Sequence, residues 1–376
     1  MIDSILLFPY WITLKIRHLM FDTGLRKVHS ADVPTICVGN ITVGGTGKTP
    51  HTEMILRELL DDSGWKGNNI SVISRGYKRK TKGFQQVTVG ASAKDYGDEP
   101  LQIKTKFPQV TVAVDKSRAE GCDFLAHPER LAGSKKARKC RHKEFPASDL
   151  IILDDAFQHR SLKASLSIVL VDWNRPVFSD HLMPLGRLRD LPERIGAADV
   201  LIVTKCPHEL NGWQKSSWAE ALGLEDYDPI ACKGHTSCGK VQFLFFTEIV
   251  YDTVLPVFPE GDNRYLYAKK LILFTGIAND TPLMNYLSSD YKLVHHFNFP
   301  DHHAFTRGDI SKIKSASHEW PTSVLMTTEK DSQRLRDCKF ISNELKVRMF
   351  YVPIKAKFIS DGDRSIFISL LNGLRK

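Results

Sequence analysis

In the stretch GNITVGGTGKTP, residues 39–50, Gly44, Gly45, Gly47, Lys48 and Thr49 stand in the order of a phosphate-binding loop. Gly44, Gly45 and Gly47 let backbone N–H groups turn toward phosphate oxygens. Lys48 reaches the β- and γ-phosphates, and Thr49 offers a hydroxyl to Mg²⁺. The pattern G-x-x-x-x-G-K-[ST] finds Thr42 where its first glycine belongs. That glycine eases a bend but donates nothing unique, so the expected nucleotide loop is Thr42, Val43, Gly44, Gly45, Thr46, Gly47, Lys48 and Thr49. Such a loop works with a carboxylate at the end of an apolar strand, and DLIILDD supplies Asp154 and Asp155. Side chains alternate along a strand, so the two aspartates point apart unless the strand ends between them. One is expected in the magnesium shell and the other in a neighbouring role. The sequence leaves open which.

The elements that must position these groups are legible as apolar runs alternating with helix-like stretches, the pattern of a parallel sheet covered on both faces. The expected strands of the first domain are PTICVGN, NISVISR, PQVTVAV, DLIILDD, LSIVLVD and DVLIVTK. Several end in a polar residue (Asn40, Arg75, Asp155, Asp172, Lys205), and ligands of open α/β sheets bind at that edge. TEMILRELL follows the loop as a helix, which completes the strand–loop–helix a phosphate loop requires. Around residues 240–268 the texture turns aromatic and alternating, in QFLFFTEIVYD and RYLYAKK, with a Pro/Gly turn between them. These two segments read as an antiparallel pair linking two domains. KLILFTGI, KLVHHFNF, TSVLMTT and KVRMFYVP then resume the α/β rhythm. The expected fold is a P-loop-type α/β/α sandwich joined by an antiparallel two-stranded linker to a smaller α/β domain. Its expected parts are an N-terminal helix region (1–30), the nucleotide domain (31–238), the linker (239–268) and the smaller domain (269–376).

With 376 residues, 42% hydrophobic and 25% charged, the chain has enough material for two cores. Its seven scattered cysteines include no C-x-x-C pair, which suggests free thiols in a reducing compartment. Cys232, His235 and Cys238 have tolerable zinc spacing but no evident fourth ligand, so a surface turn is expected there. A net charge of +9 favours anionic partners. The apolar run ILLFPYWITL, residues 5–14, is too short to span a bilayer and is followed by Lys15, Arg17, Arg26 and Lys27. A helix starting near Pro9 places Ile12, Ile16, Leu19 and Met20 on one face, suited either to a headgroup boundary or to packing on the domain. Residues 129–145 are dense in Lys and Arg without hydrophobic periodicity, which reads as a solvated loop.

The nucleotide is expected to be ATP. A guanine-reading N-K-x-D motif is missing: its nearest counterpart, TKCP at 204–207, has proline where the carboxylate must be. Val43 stands where dimer-forming deviant P-loops carry an extra lysine, which disfavours a dimer sandwich. A nucleotide-dependent switch of the GTPase or metallochaperone kind is the competing class. A nucleic-acid-dependent ATPase is disfavoured because no nucleic-acid module is recognisable.

The ordered set GNITVGGTGKTP, SRGYKRK, GDEP, LDDAFQHR, LMPLGRLRD, FPDHHAF and TTEKD resembles the tetraacyldisaccharide 4'-kinase family, which phosphorylates an acylated glucosamine disaccharide in lipid A biosynthesis. The resemblance implies a kinase using ATP and Mg²⁺, with a lipid disaccharide as acceptor. It also implies peripheral attachment to the cytoplasmic face of the inner membrane through the N-terminal helix, in a monomer without nucleic-acid partners. In GDEP, Asp98 resembles the carboxylate that takes the proton from the 4'-hydroxyl; in FPDHHAF, His302 resembles its partner from the second domain. His303 is the alternative. Read without the family, Asp98 before Pro100 is a turn or helix-start residue. Asp190 stands where the family has an acid of glutamate length near the metal, and Ala156 where many relatives have glycine. Asn40, Arg75, Gln158, His159 and Arg187 match positions at the nucleotide and sugar edge.

Overall fold

The computed structural model describes residues 2–61, 64–65 and 67–375, with side chains from Leu7 onward in the first helix. That helix, α1 (Ile2–Asp22), begins before the proline rather than at it, with Pro9 inside. The first sheet follows, a run of strands that are apolar throughout because both faces are covered. Its central strands and helices are β1 (Thr35–Gly39), α2 (Lys48–Asp61), β2 (Ile70–Ser74), α3 (Asp98–Lys106), β3 (Thr111–Val114), β4 (Leu150–Asp154), β5 (Leu166–Asp172), β6 (Val200–Thr204) and β7 (Val241–Tyr251). They order in space as β7-β6-β5-β1-β4-β2-β3, all parallel. Antiparallel strands at 85–87 and at 224–228 with 233–236 close the two edges. All six expected strands of this sheet form.

A second sheet is built from β8 (Lys270–Thr275), β9 (Lys292–Asn298), β10 (Val324–Thr328) with its following helix α4 (Glu329–Arg336), and β11 (Met349–Val352). Its order is β11-β10-β8-β9, parallel, with the short strand 255–256 antiparallel at the edge. Helices 281–287 and 307–319 cover it.

Two expectations are corrected here. The antiparallel linker exists, but β7 does not pair with the RYLYAKK segment. Residues 263–267 instead form a turn of 3₁₀ helix. The partner is β12 (Ile354–Phe358), from the end of the chain, with Thr247 opposite Phe358 and Tyr251 opposite Ile354. The final helix α5 (Asp361–Asn372) then packs Phe367 and Leu371 into the first core beside Phe245 and Phe358. The chain's last segment therefore belongs to the first lobe, and a boundary at 269 does not separate the two bodies.

On α1, Leu7, Tyr10, Leu14 and His18 repeat at helical spacing and face the protein, whereas Phe8, Trp11, Ile12, Ile16 and Leu19 are exposed. The helix therefore packs on the domain through the opposite face and leaves Ile12, Ile16 and Leu19 exposed. Among the described residues, no helix is long and apolar enough to cross a membrane. The basic stretch 129–145 contains two short helical turns, at 128–132 and 135–139. Gln85 pins it by donating to the carbonyl of Lys139 at 2.6 Å.

Candidate active site

β1 and β4 lie side by side, with Val38 opposite Asp154, so the phosphate loop and the aspartate pair emerge from adjacent strands at one sheet edge. At the end of β1 a Cβ on Gly39 would stand 2.5 Å from the Cβ of Phe157, which only glycine avoids. Gly44 and Gly47 take φ of 111° and 86°, the left-handed side that a loop wrapping an anion needs. The loop is braced from below and from the side. Asn40 Nδ2 donates to the Thr46 hydroxyl at 2.7 Å and to that of Thr42 at 3.3 Å. The Val43 amide donates to the carbonyl of Arg187 at 2.8 Å. Lys205, at the end of β6, donates to the carbonyl of Gly45 and to Asp172, each at 2.6 Å. His51, fully buried on α2, donates Nδ1–H to the carbonyl of Gly47 at 2.7 Å and accepts the Thr247 hydroxyl at 2.8 Å. Burial lowers its pKa to about 4, so it is a neutral brace. A cavity beside the loop is lined by Thr42–Thr46, Asp172, Arg175, Asp180 and Arg187.

The strand does end between the two aspartates. Asp154 is the last residue of β4, and Asp155 turns to φ 50°. Asp155 lies 3.8 Å from Lys48 Nζ and is paired with Arg189. These cations, with Arg118, outweigh the burial that raises its carboxyl and hold it low. Asp154 is buried, with the Thr52 hydroxyl 3.4 Å away. Burial raises its pKa, and the charges of Glu99 and Asp155 add to that. Ala156 is not among the positive-φ residues, so the missing glycine costs nothing there.

The other side of the site comes from α3. Gly97, with φ 96°, sets Asp98 at the first position of this helix. The helix packs on α2, the helix that starts at Lys48: Gln102 and Lys106 donate to Glu53 at 2.8 and 2.7 Å. From the second lobe, His302 places Nδ1 3.0 Å from Asp98 Oδ2 and rests against the Tyr77 ring. His303 turns away to Asp309, at 2.9 Å, and stacks on Phe299. Burial pushes the Asp98 carboxyl up, but the His302 hydrogen bond, Lys330 and Arg334 more than offset it and hold it well below the usual range. A carboxylate so held stays ionised, and the histidine joined to it can orient it or share a proton taken from an alcohol in front of a bound triphosphate.

Of the remaining expected residues, Asn40 Oδ1 accepts from Arg189 at 2.6 Å, and Gln158 donates its side-chain amide to the carbonyl of Asn40. His159 is pushed down to about 4 by burial and by Arg118 and Arg75. Arg75 is exposed, and Arg187 borders the cavity beside Gly44. The carboxylate of Asp190 accepts from His18 of α1 at 2.6 Å and from the Leu191 amide at 2.9 Å, so it anchors the N-terminal helix. Among the described residues, no group of three His, Cys, Asp or Glu is arranged to hold a metal ion, at 232–238 or elsewhere. Cys232 is buried and faces Asp363, while Cys238 meets the Thr236 hydroxyl.

Sequence reasoning missed Arg118, Arg189, His51 and Arg334. Arg189 lies inside the quoted LMPLGRLRD stretch and was the accessible one. Arg118, which donates to the carbonyl of Asp154 at 3.2 Å, sits in a segment without any motif.

A family model described as tetraacyldisaccharide-1-P 4'-kinase matches residues 4–372. The chain is similar to the tetraacyldisaccharide 4'-kinase of Parabacteroides distasonis, 37% identical over 95% of this chain and 90% of the relative. That of Phocaeicola vulgatus is 36% identical over 96% and 91%. A solved structure, described as an "apo" form of LpxK from Aquifex aeolicus in complex with ATP, superposes with a TM-score of 0.67 over 99% of both chains at 25% identity. A match spanning nearly every residue, including all seven motifs gathered above, places this chain in the tetraacyldisaccharide-1-P 4'-kinase family.

Proposed function

We propose that this protein transfers the γ-phosphate of ATP to the 4'-hydroxyl of tetraacyldisaccharide 1-phosphate. The observation that carries the chemistry is the meeting of Asp98 and His302 from opposite lobes, on a helix packed against the helix of the phosphate loop. The identity of the acceptor rests on the family match. In this reading the loop amides and Lys48 hold the triphosphate. Asp98 takes the hydroxyl proton as the new O–P bond forms, the bridging bond to the γ-phosphorus breaks, and ADP leaves. His302 orients the carboxylate and shares the proton. Arg118 and Arg189 each keep a buried Nε without a hydrogen-bond acceptor, which suits a site that receives a polyanion.

The oxygen donors Thr49, Asp154 and Asp155 suit magnesium, which takes a few carboxylates and fills its shell with water and phosphate oxygens. The fit is supported by Asp154, a buried carboxyl raised by burial and by two neighbouring acids, because a divalent cation reverses that penalty. When bound, magnesium would neutralise charge on the phosphates. The exposed apolar face of α1, with Lys15 beside Trp11, supports attachment to the cytoplasmic face of the inner membrane. A GTP-driven switch is not favoured, since Lys205 in the TKCP segment is spent on the phosphate loop and on Asp172.

The test is phosphate transfer from γ-labelled ATP to tetraacyldisaccharide 1-phosphate in mixed micelles, with GTP as competitor. A labelled 4'-phosphate product with ATP preferred is expected. Nucleotide binding without that product rejects the proposal.

A further inference from the structure

Arg334 lies on α4 in the second lobe, three residues beyond the TTEKD motif, and neither the loop nor the Asp98–His302 pair accounts for it. Its Nε donates to Asp98 Oδ2 at 3.2 Å, and its Nη2 stands 3.1 Å from the same oxygen. His302 Nδ1 reaches that oxygen as well. Asp98 Oδ1, by contrast, accepts among the described residues only the Glu99 amide, at 3.0 Å. A carboxylate has about four lone-pair directions, so Oδ2 is committed and Oδ1 keeps one open.

The guanidinium is itself fixed. Nη1 donates to the carbonyl of His303 at 3.0 Å and lies 3.0 Å from Asp331 Oδ1. Asp331 is fully buried; its Oδ2 accepts the Gly276 amide at 2.9 Å and the Thr328 hydroxyl at 2.6 Å. A continuous chain of contacts therefore runs from the end of β8 through Asp331 and Arg334 to the first-lobe carboxylate. The Arg334 side chain is 11% exposed, so the contact lacks the solvent screening that weakens surface pairs. The same helix places Lys330 2.6 Å from Glu99, and Asp337 just beyond it accepts the Ser92 hydroxyl at 2.7 Å. Residues 330, 334 and 337 thus present one helical face to the start of α3 and to the short helical turn before it.

We propose that Arg334 is a positioning residue for phosphoryl transfer: together with His302 it holds Asp98 Oδ2, leaves Oδ1 to take the hydroxyl proton, and makes the base competent only when the second lobe is docked. This rests on the reading of Asp98 as the base. The charged and titratable groups facing Asp98 are Arg334, Lys330 and Asp331 from α4, His302 from the loop after β9, and Glu99 from its own helix.

The full-length Arg334→Gln and Arg334→Lys proteins are assayed with ATP and micellar acceptor, with Asp98→Asn alongside. Arg334→Gln is expected to lower kcat about 10–100-fold with the KM for ATP within about twofold. The acid limb of its kcat profile moves to higher pH, because a cation favouring the carboxylate is gone. Arg334→Lys recovers part of the loss, since it restores charge without the fork. A kcat within about threefold of wild type, an unmoved acid limb, or a lysine variant no better than glutamine overturns the proposal. Should Arg334→Gln fail to fold, Arg334→Lys decides alone: a several-fold fall in kcat at unchanged KM for ATP supports it, and wild-type kcat overturns it. Asp98→Asn separates the two readings. If it keeps turnover, the base assignment fails; if it is inactive while both Arg334 variants match wild type, only the role of Arg334 falls.

Discussion

Asp154 and Asp98 are both buried aspartates at the end of a regular element, one closing β4 and the other opening α3, yet their surroundings push them in opposite directions. Around Asp154, burial and the neighbouring acids Glu99 and Asp155 make the ionised form costly. Around Asp98, the same burial is outweighed by His302, Lys330 and Arg334. The difference lies in the company each keeps. At the strand end the cations Lys48 and Arg118 do not outweigh burial and two acids, whereas the helix start is already neutralised by the second lobe. One half of the site is set by local sequence and the other by lobe docking.

Changes at the nucleotide edge break the first half. Lys48→Met is expected to lower kcat/KM for ATP on the order of 10³-fold, since a charge-assisted contact to the transferring phosphate is lost; steady-state kinetics read this directly. Asp154→Asn sharpens the contrast, with a smaller kinetic loss of about 10²-fold and an opposite effect on stability. The folded-state pKa of Asp154 is raised, so the folded protein binds the proton more tightly than the unfolded chain does. Its contribution to stability therefore falls as pH rises from the ordinary carboxylate range toward neutrality. Melting in metal-free buffer at neutral pH should show Asp154→Asn a few degrees above wild type. A lower melting temperature would mean that Asp154 is already paired.

For Asp98 the sign reverses. Its depressed pKa keeps the carboxylate charged as pH falls, so its contribution to stability is present above the unfolded value and is lost only below the usual carboxylate range. Activity that depends on this charge should show an acid limb of kcat below about 4, the ordinary value for aspartate. Replacing His302 with Gln should lower kcat about tenfold and raise that limb. The smallest effect is expected at His51. His51→Phe removes the imidazole contacts to the Gly47 carbonyl and the Thr247 hydroxyl, which keep only the His51 amide and the Val203 carbonyl, and costs about 1–3 kcal/mol of stability, read by denaturant unfolding.

The nucleotide half was largely legible in the chain because its signals are contiguous. Glycines at 44 and 47 sit where φ is positive, and apolar runs a few residues long mark strands buried on both faces. The pairing of β7 with β12 was not legible, since about a hundred residues separate the strands and a ladder of that kind leaves no pattern beyond ordinary alternation. RYLYAKK misled for the same reason: alternating aromatics read as strand whether they pair or only cover an edge. The contact of Asp190 with His18 of the first helix likewise joins residues far apart in the chain and left no mark in the sequence. Arg334 gave no signal because a lone arginine on a polar helix is normally a solvated one; only the docking of α4 on α3 assigns it a partner.

The central claim is that Asp98 is the proton acceptor for a hydroxyl presented to a triphosphate held at Lys48. It is tested by measuring ATP binding and phosphate transfer to tetraacyldisaccharide 1-phosphate on the same preparation of Asp98→Asn. Retained ATP affinity, within about twofold, with transfer abolished is the predicted result. Transfer at the wild-type rate, or loss of ATP binding in step with activity, would contradict it.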